Sequence, residues 1–292
     1  MIKYLVKTTI CAVFVLFGAS KTSAQDAIAF RIFDAGGKEV KFARALDVLG
    51  KADVVFFGEQ HNDPISHWME LQLLKGLYEI HPDMALAMEM FESDDQLPLS
   101  EYLNGIIEER HLLKEAKVWD NYATDYKPLV EFAKGKGLPV IATNVPRRYA
   151  NLVYRKGIES LDSLPANAKG LMAPLPVTID LELPCYKNMI ASMGGHASAG
   201  NAVNMAKSQA LKDATMAYFI YRNLDRKILH VNGAYHSEKG EGIIWHLRQL
   251  KPGLSIATIQ VVEQQKVDVL EEKNKKLGDF VIVVPEDMTK TY

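Results

Sequence analysis

The chain has 292 residues, with 34 Lys and Arg against 36 Asp and Glu for a formal charge of −2, and it is 48% hydrophobic and 9% aromatic. These values exclude a disordered chain or a collagen-like fibre, and no charge excess drives nucleic-acid binding, so no nucleic-acid partner is expected. Two cysteines exclude a disulfide scaffold, a four-cysteine zinc site and a ferredoxin-like cluster made within one chain.

The first segment reads as an export signal. Lys3 and Lys7 precede an apolar run from Thr9 to Ala19, and the small-residue ending Thr22-Ser23-Ala24 follows. The run is short for a spanning helix. Cleavage after Ala24 would leave Cys185 as the single thiol, so the exported chain could form no internal disulfide. The expected organisation is a signal peptide over 1–24 and a single α/β domain over 25–292, outside the cytoplasmic membrane or in a periplasm.

A hairpin is expected around Gly36-Gly37, then a short helix over Lys41 to Leu49. The run Asp53 to His61, DVVFFGEQH, reads as a strand buried on both faces, as in sheets covered by helices. From Ser66 to His81 the residues Trp68, Leu71, Leu74 and Tyr78 recur at helical intervals, and Met84 to Met90 returns to a strand. Helices are expected over about 100–117 and 125–134, a strand over Leu138 to Asn144, and further strands over Ile228 to Gly233, Ser255 to Val262 and Asp279 to Pro285. A helix over 240–250 separates the first two of those three. This alternation predicts an α/β fold with a mainly parallel or mixed central sheet covered by helices, the last strand being a candidate antiparallel edge. Between 161 and 221 no strand is evident. Four prolines, the segment Cys185 to Met193 and a long helix over 201–221 predict a helical cap insertion rich in Met.

Ligands of α/β sheets bind beyond the carboxyl ends of the strands. That rule gathers Glu59, His61, Glu89, Asn144, Arg147, Arg148, His230 and His236 onto one rim. Glu59 and His61 are two apart, which on an extended backbone points both the same way. With His236 they are candidate ligands for Zn, Mn or Fe. Equally, Glu59, His61, Glu89, His230 and His236 are candidate acid and base groups. Arg147, at a helix start, suits a carboxylate or phosphate.

Five segments, VVFFGEQHNDPISH, ALAMEMF, YKPLVEFAKGKGLPVIATNVPRR, QALKDATMAYFI and HVNGAYHSEKGEGI, together resemble the ChaN-like family of iron-regulated, exported haem-binding proteins. That family sits within a wider group that includes Tiki/TraB proteins and erythromycin-esterase-like enzymes. The resemblance implies an α/β core with a helical cap and haem held between two subunits by a tyrosine oxygen. In the Tiki-like branch the positions matching Glu59, His61 and His236 are associated with metal-dependent hydrolysis. The chain lacks a lipobox, so the resemblance does not extend to a lipid anchor.

The leading expectation is therefore a non-catalytic haem-binding protein that takes part in haem or iron uptake or handling. Tyr126, Arg147, Tyr149, Tyr186, Met189, Met193, His196 and Tyr235 are the candidate haem contacts, with a homodimer and envelope haem or iron transport components as partners. The alternative is a metal-dependent hydrolase working at the GEQH and GAYH residues. A protein that uses its Met-rich cap for assembly is a third reading, which leaves the rim unexplained.

Overall fold

The computed structural model describes residues 27–193 and 199–292. The expected signal segment and His196 lie outside the described residues.

Seven strands form one sheet. They are β1 (Arg31–Asp34), β2 (Val54–Glu59), β3 (Ala85–Glu92), β4 (Val140–Asn144), β5 (Ile228–Gly233), β6 (Ile256–Gln264) and β7 (Phe280–Pro285), in the spatial order β1-β7-β6-β2-β5-β3-β4. Every pairing is parallel except that of β1 with β7. The antiparallel edge is thus the first strand, while β7 runs parallel to β6 inside the sheet. The short hairpin after β1 folds Glu39 back onto Phe33.

Helices cover both faces. In chain order they are α1 (Phe42–Leu49), α2 (Pro64–Ile80), α3 (Gln96–Leu103), α4 (Glu109–Glu115), α5 (Lys127–Lys136), α6 (Arg147–Lys156), α7 (Ala166–Lys169), α8 (Pro184–Met193), α9 (Ala199–Tyr221) and α10 (Ile243–Leu250). The two-residue period of β2 sends Val55 and Phe57 into one core with α1, α2 and α5, and Val54 and Phe56 into the other with α9 and α10. This is why the strand reads as a continuous apolar run. No strand occurs among the described residues of the expected cap, where α6, α9 and the chain between them close a separate apolar cluster around Val153, Leu161 and Leu211.

Helix α2 buries Leu74 and packs Leu71 and Tyr78 against the core, as their spacing implies, but turns Trp68 outward. Trp68 is 49% exposed, and the buried line runs through Met69, Leu73 and Leu77. His67 and Glu70 share that buried side. The helix starts where Asp63 accepts a hydrogen bond from the backbone N–H of Ser66 at 2.7 Å, with Pro64 in its first turn, so the cap fixes which residues face inward.

At the other end of the sheet β4 is an open edge, and a side chain closes it. The Gln96 amide donates to the Val140 carbonyl at 3.0 Å and accepts from the Ala142 N–H at 2.7 Å, taking the place of a neighbouring strand. Replacing Gln96 with Ala leaves both backbone groups without those partners. The expected cost is about 1–3 kcal/mol in urea unfolding. An unchanged midpoint would show that solvent replaces the amide at no cost.

Candidate functional site

Strands β2, β5, β3 and β4 are consecutive in the sheet, so their carboxyl ends lie side by side. Glu59 closes β2 and is 1% exposed. Its Oε1 accepts from His61 Nδ1 at 2.5 Å and from the Tyr126 hydroxyl at 2.7 Å, while Oε2 stands 3.2 Å from His67 Nδ1. Burial alone would raise the Glu59 pKa, but hydrogen bonds from His61, His67 and Glu70 hold it well below the usual carboxylate range. Glu70 moves the other way, raised by burial and by the charge on Glu59. Burial opposes the charged form of His67, yet Glu59 and Glu70 push its pKa up to about 11.

Tyr126 and Asp125 reach this cluster from a π-helical turn, Tyr122–Tyr126, that leads into α5. With Nδ1 engaged by Glu59, His61 presents Nε2 outward, against Gly233. A Cβ at Gly233 would lie 2.6 Å from that nitrogen, so only glycine leaves room for the ring.

A second histidine is held in the same manner. His236 Nδ1 donates to Asp213 Oδ1 at 2.5 Å, and its Nε2 is 3.3 Å from Glu89 Oε1. The other Asp213 oxygen accepts from the Tyr186 hydroxyl at 2.6 Å, and Glu89 Oε2 accepts from the Gly233 N–H at 2.8 Å. Burial would lower the His236 pKa, but Glu89 and Asp213 override it and raise it to about 10. Burial would raise Glu89, but His236, then His61 and Lys212, bring it down to about 2. His61 is also raised: burial opposes this, and the bond to Glu59 prevails.

These groups form the floor of a cavity of about 420 Å³, whose wall carries Trp119, Arg147 and Tyr154, with Met205 and Lys212 from α9. A neighbouring cleft of about 740 Å³ shares Trp119 and Arg147 and adds Lys117, Arg148 and Tyr292. Arg148 and Lys117 are paired with Asp94, and Lys117 with Glu92 as well. Arg147 and Lys212 make no ion pair among the described residues. Aromatic walls with two cations outside any ion pair suit a flat apolar ligand that bears carboxylates, which is the chemistry of haem.

Of the residues expected from sequence, the structure brings Glu59, His61, Glu89, His236 and Arg147 to one place. His230 lies inside the sheet instead, fully buried, between Asn232 Oδ1 at 2.9 Å and Thr143 Oγ1 at 3.0 Å, and burial lowers its pKa to about 4. Tyr126 and Tyr186 are buried with their hydroxyls given to carboxylates. Tyr149 stacks under Arg148, and the Tyr235 hydroxyl donates to the Cys185 carbonyl, close to Met189. Met193 ends α8 and is half-buried. The acid and imidazole atoms that come within 4.8 Å of one another as a possible ion site are those of Glu59, His67 and Glu70, whereas His236 sits with Asp213 and Glu89.

Sequence reasoning missed His67, Glu70, Trp119, Tyr154, Lys212 and Asp213. A signal existed for some of them. Asp213 is the single acidic residue in the sequence of α9, and His67 and Glu70 stand one turn apart in α2.

The fold and this rim define an α/β protein with an ordered His and carboxylate site and a cation-lined cleft at the strand ends. The chain belongs to the family described as haem-binding uptake, Tiki superfamily, ChaN, which matches residues 45–247. It is 27% identical over 152 residues to Protein RETICULATA-RELATED 5, chloroplastic, of Arabidopsis thaliana, a match that spans 47% of this chain and about a fifth of that relative's length (20%). Among solved structures it is similar to ChaN of Campylobacter jejuni, described as binding heme cofacially, with a TM-score of 0.65 at 19% identity over 88% of this chain and 97% of that one. The type III effector HopBA1 aligns with a TM-score of 0.50 at 13% identity, over 83% and 92%. At these identities the two structures show the fold alone.

The rim charges set a pH response. The raised pKa of His236 contributes stability that is complete below its ordinary value of 6.5 and lost as pH rises through about 10. The lowered pKa of Glu89 contributes stability that is complete above 4.5 and lost as pH falls through about 2. NMR titration is expected to find His236 charged at neutral pH, and Asp213→Asn should bring its pKa down. A wild-type midpoint near 6.5 would contradict the pairing.

Proposed function

We propose that this protein binds haem in the cleft over the rim and serves haem or iron uptake or handling. Membership of the haem-binding uptake family over residues 45–247 carries this reading. Bound haem would supply a flat apolar ring, two carboxylates and an iron that takes axial ligands. Arg147, the cleft cation without an acid partner, would take a propionate, with Trp119 and Tyr292 against the ring. Tyr154 would supply the axial oxygen, since it lines the cavity and its hydroxyl has no partner among the described residues. The Tyr126 and Tyr186 hydroxyls are already committed to buried carboxylates.

Two His and carboxylate pairs facing Glu89 favour hydrolysis as a second reading. In that reading His61, His236 and Glu89 would be the groups that hold a metal or handle the proton at the strand ends. The two wall cations Arg147 and Lys212 favour the capture of an anion as the first reading.

Haem titration followed by absorbance tests the main reading. Saturable binding with a Soret band is expected, altered in position by Tyr154→Phe and weakened about tenfold by Arg147→Ala. Binding no stronger than that of an unrelated apolar protein would remove the proposal and leave the hydrolase reading first. Because the related protein of C. jejuni is described as binding heme cofacially, two copies are proposed to share the ligand. Light scattering should then show the mass doubling on haem addition.

Export is proposed as well, with residues 25–292 folding as one domain. Its support is the segment Met1 to Ala24, with its basic start, apolar run and small-residue ending. Intact-mass measurement on protein recovered from the native envelope should find cleavage near Ala24-Gln25. A mature species that retains Met1 would contradict export by cleavage.

A further inference from the structure

Outside the lining of the rim cavity, three side chains bring their ligand atoms together. Glu59, His67 and Glu70 place a carboxylate oxygen, an imidazole nitrogen and a second carboxylate oxygen within 4.8 Å of one another. None of the three is more than 6% exposed.

The imidazole is already oriented. His67 Nε2 lies 3.1 Å from the His61 carbonyl and 3.2 Å from Asp125 Oδ2, so this nitrogen carries a hydrogen and uses it there. Nδ1 is left facing Glu59 Oε2 at 3.2 Å and Glu70 Oε2 at 3.5 Å. A carboxylate and a carbonyl behind one ring nitrogen are the outer contacts that hold a metal-binding imidazole in place. Asp125 is itself fixed, accepting from the Asn121 side-chain amide at 2.7 Å.

A second observation is independent of that orientation. Glu70 Oε1 is a buried acceptor with no hydrogen-bond partner, on a residue 0% exposed, and Glu59 Oε2 has the His67 imidazole beside it at 3.2 Å. A buried carboxylate oxygen left bare is costly, and a bound cation between it and its neighbours would satisfy it.

We propose that Glu59, His67 and Glu70 form a buried site for one divalent first-row transition metal ion, separate from the haem cavity. One imidazole with two carboxylates and no thiolate suits Mn²⁺, Fe²⁺ or Zn²⁺. Two carboxylates balance the charge of such an ion, and the neutral imidazole adds none. Glu59 would bridge two sites, its Oε2 on the metal and its Oε1 on His61 and Tyr126, so occupancy would stiffen the cavity floor. The site does not depend on the haem reading.

Full-length protein freed of haem is incubated with Mn²⁺ or Zn²⁺, dialysed against metal-free buffer and assayed by plasma mass spectrometry, with haem followed separately by its Soret band. Retention of about one equivalent is expected, falling tenfold or more in Glu70→Gln and in His67→Gln. His236→Ala, on the other His and carboxylate pair, should retain the metal. X-ray absorption on the loaded wild type should show one imidazole nitrogen in an oxygen-rich shell, which keeps the test valid if a variant fails to fold. Wild type that retains no metal would overturn the site and leave a proton shared by Glu59 and Glu70 as its occupant. So would full retention in folded Glu70→Gln and His67→Gln, or loss in His236→Ala alone.

Discussion

A buried carboxylate at the end of β2 is the constraint on which the rim depends. Glu59 sits where water cannot reach it, and a bare charge there would cost several kcal/mol. His61, Tyr126 and His67 compensate it from three directions. Each partner belongs to a different piece of chain: the loop after β2, the π-helical turn before α5, and the first turns of α2. Satisfying one charge therefore ties three segments together, and the outward-facing edge of that knot is the His61 ring.

The sheet order makes the second knot meet the first. Strand β5 lies between β2 and β3, so Gly233 pairs with Glu59 across one ladder and donates its N–H to Glu89 at the end of the other neighbour. Glycine at 233 lets His61 lie over the backbone, and the turn that follows delivers His236. Beyond it Gly242 adopts a φ of +51°, and a Cβ there would lie 2.4 Å from the His236 carbonyl oxygen. Asp213 on α9 then orients His236 from behind, as Glu59 orients His61. Two imidazoles are thus held at fixed orientation by backbone geometry and buried acids before any ligand arrives.

Much of this was legible in the sequence, for physical reasons that differ by element. Strands buried on both faces read as unbroken apolar runs, which is why β2, β3, β5 and β7 were placed to within a few residues. The rim residues followed, because their positions are set by where those runs stop. Strand β1 was visible only as a turn, since four residues carry too little pattern, and the antiparallel edge was accordingly assigned to the wrong end of the chain. Apolar spacing put Trp68 on the inner face of α2 because it scores His67 and Glu70 as exposed. These two polar residues are buried by charge pairing, which a hydrophobic period does not register. The partners of Asp213 are harder to read, because Tyr186 and His236 lie in pieces of chain 27 and 23 residues away. Four tyrosines could not be ranked as ligands without knowing which hydroxyls were already engaged.

The engaged hydroxyls bear on function. A tyrosine whose proton is given to Glu59 or Asp213 has its pKa driven far up, because ionising it would set a phenolate beside a buried carboxylate. Ligation of ferric iron by oxygen calls for the opposite setting, a phenol near cations and away from acids. Within the cavity Tyr154 lies on the same wall as Arg147 and Lys212, and its hydroxyl is not given to a carboxylate among the described residues. The paired charges of the rim cancel one another, so what is left to meet an anionic ligand is the pair of wall cations, Arg147 and Lys212.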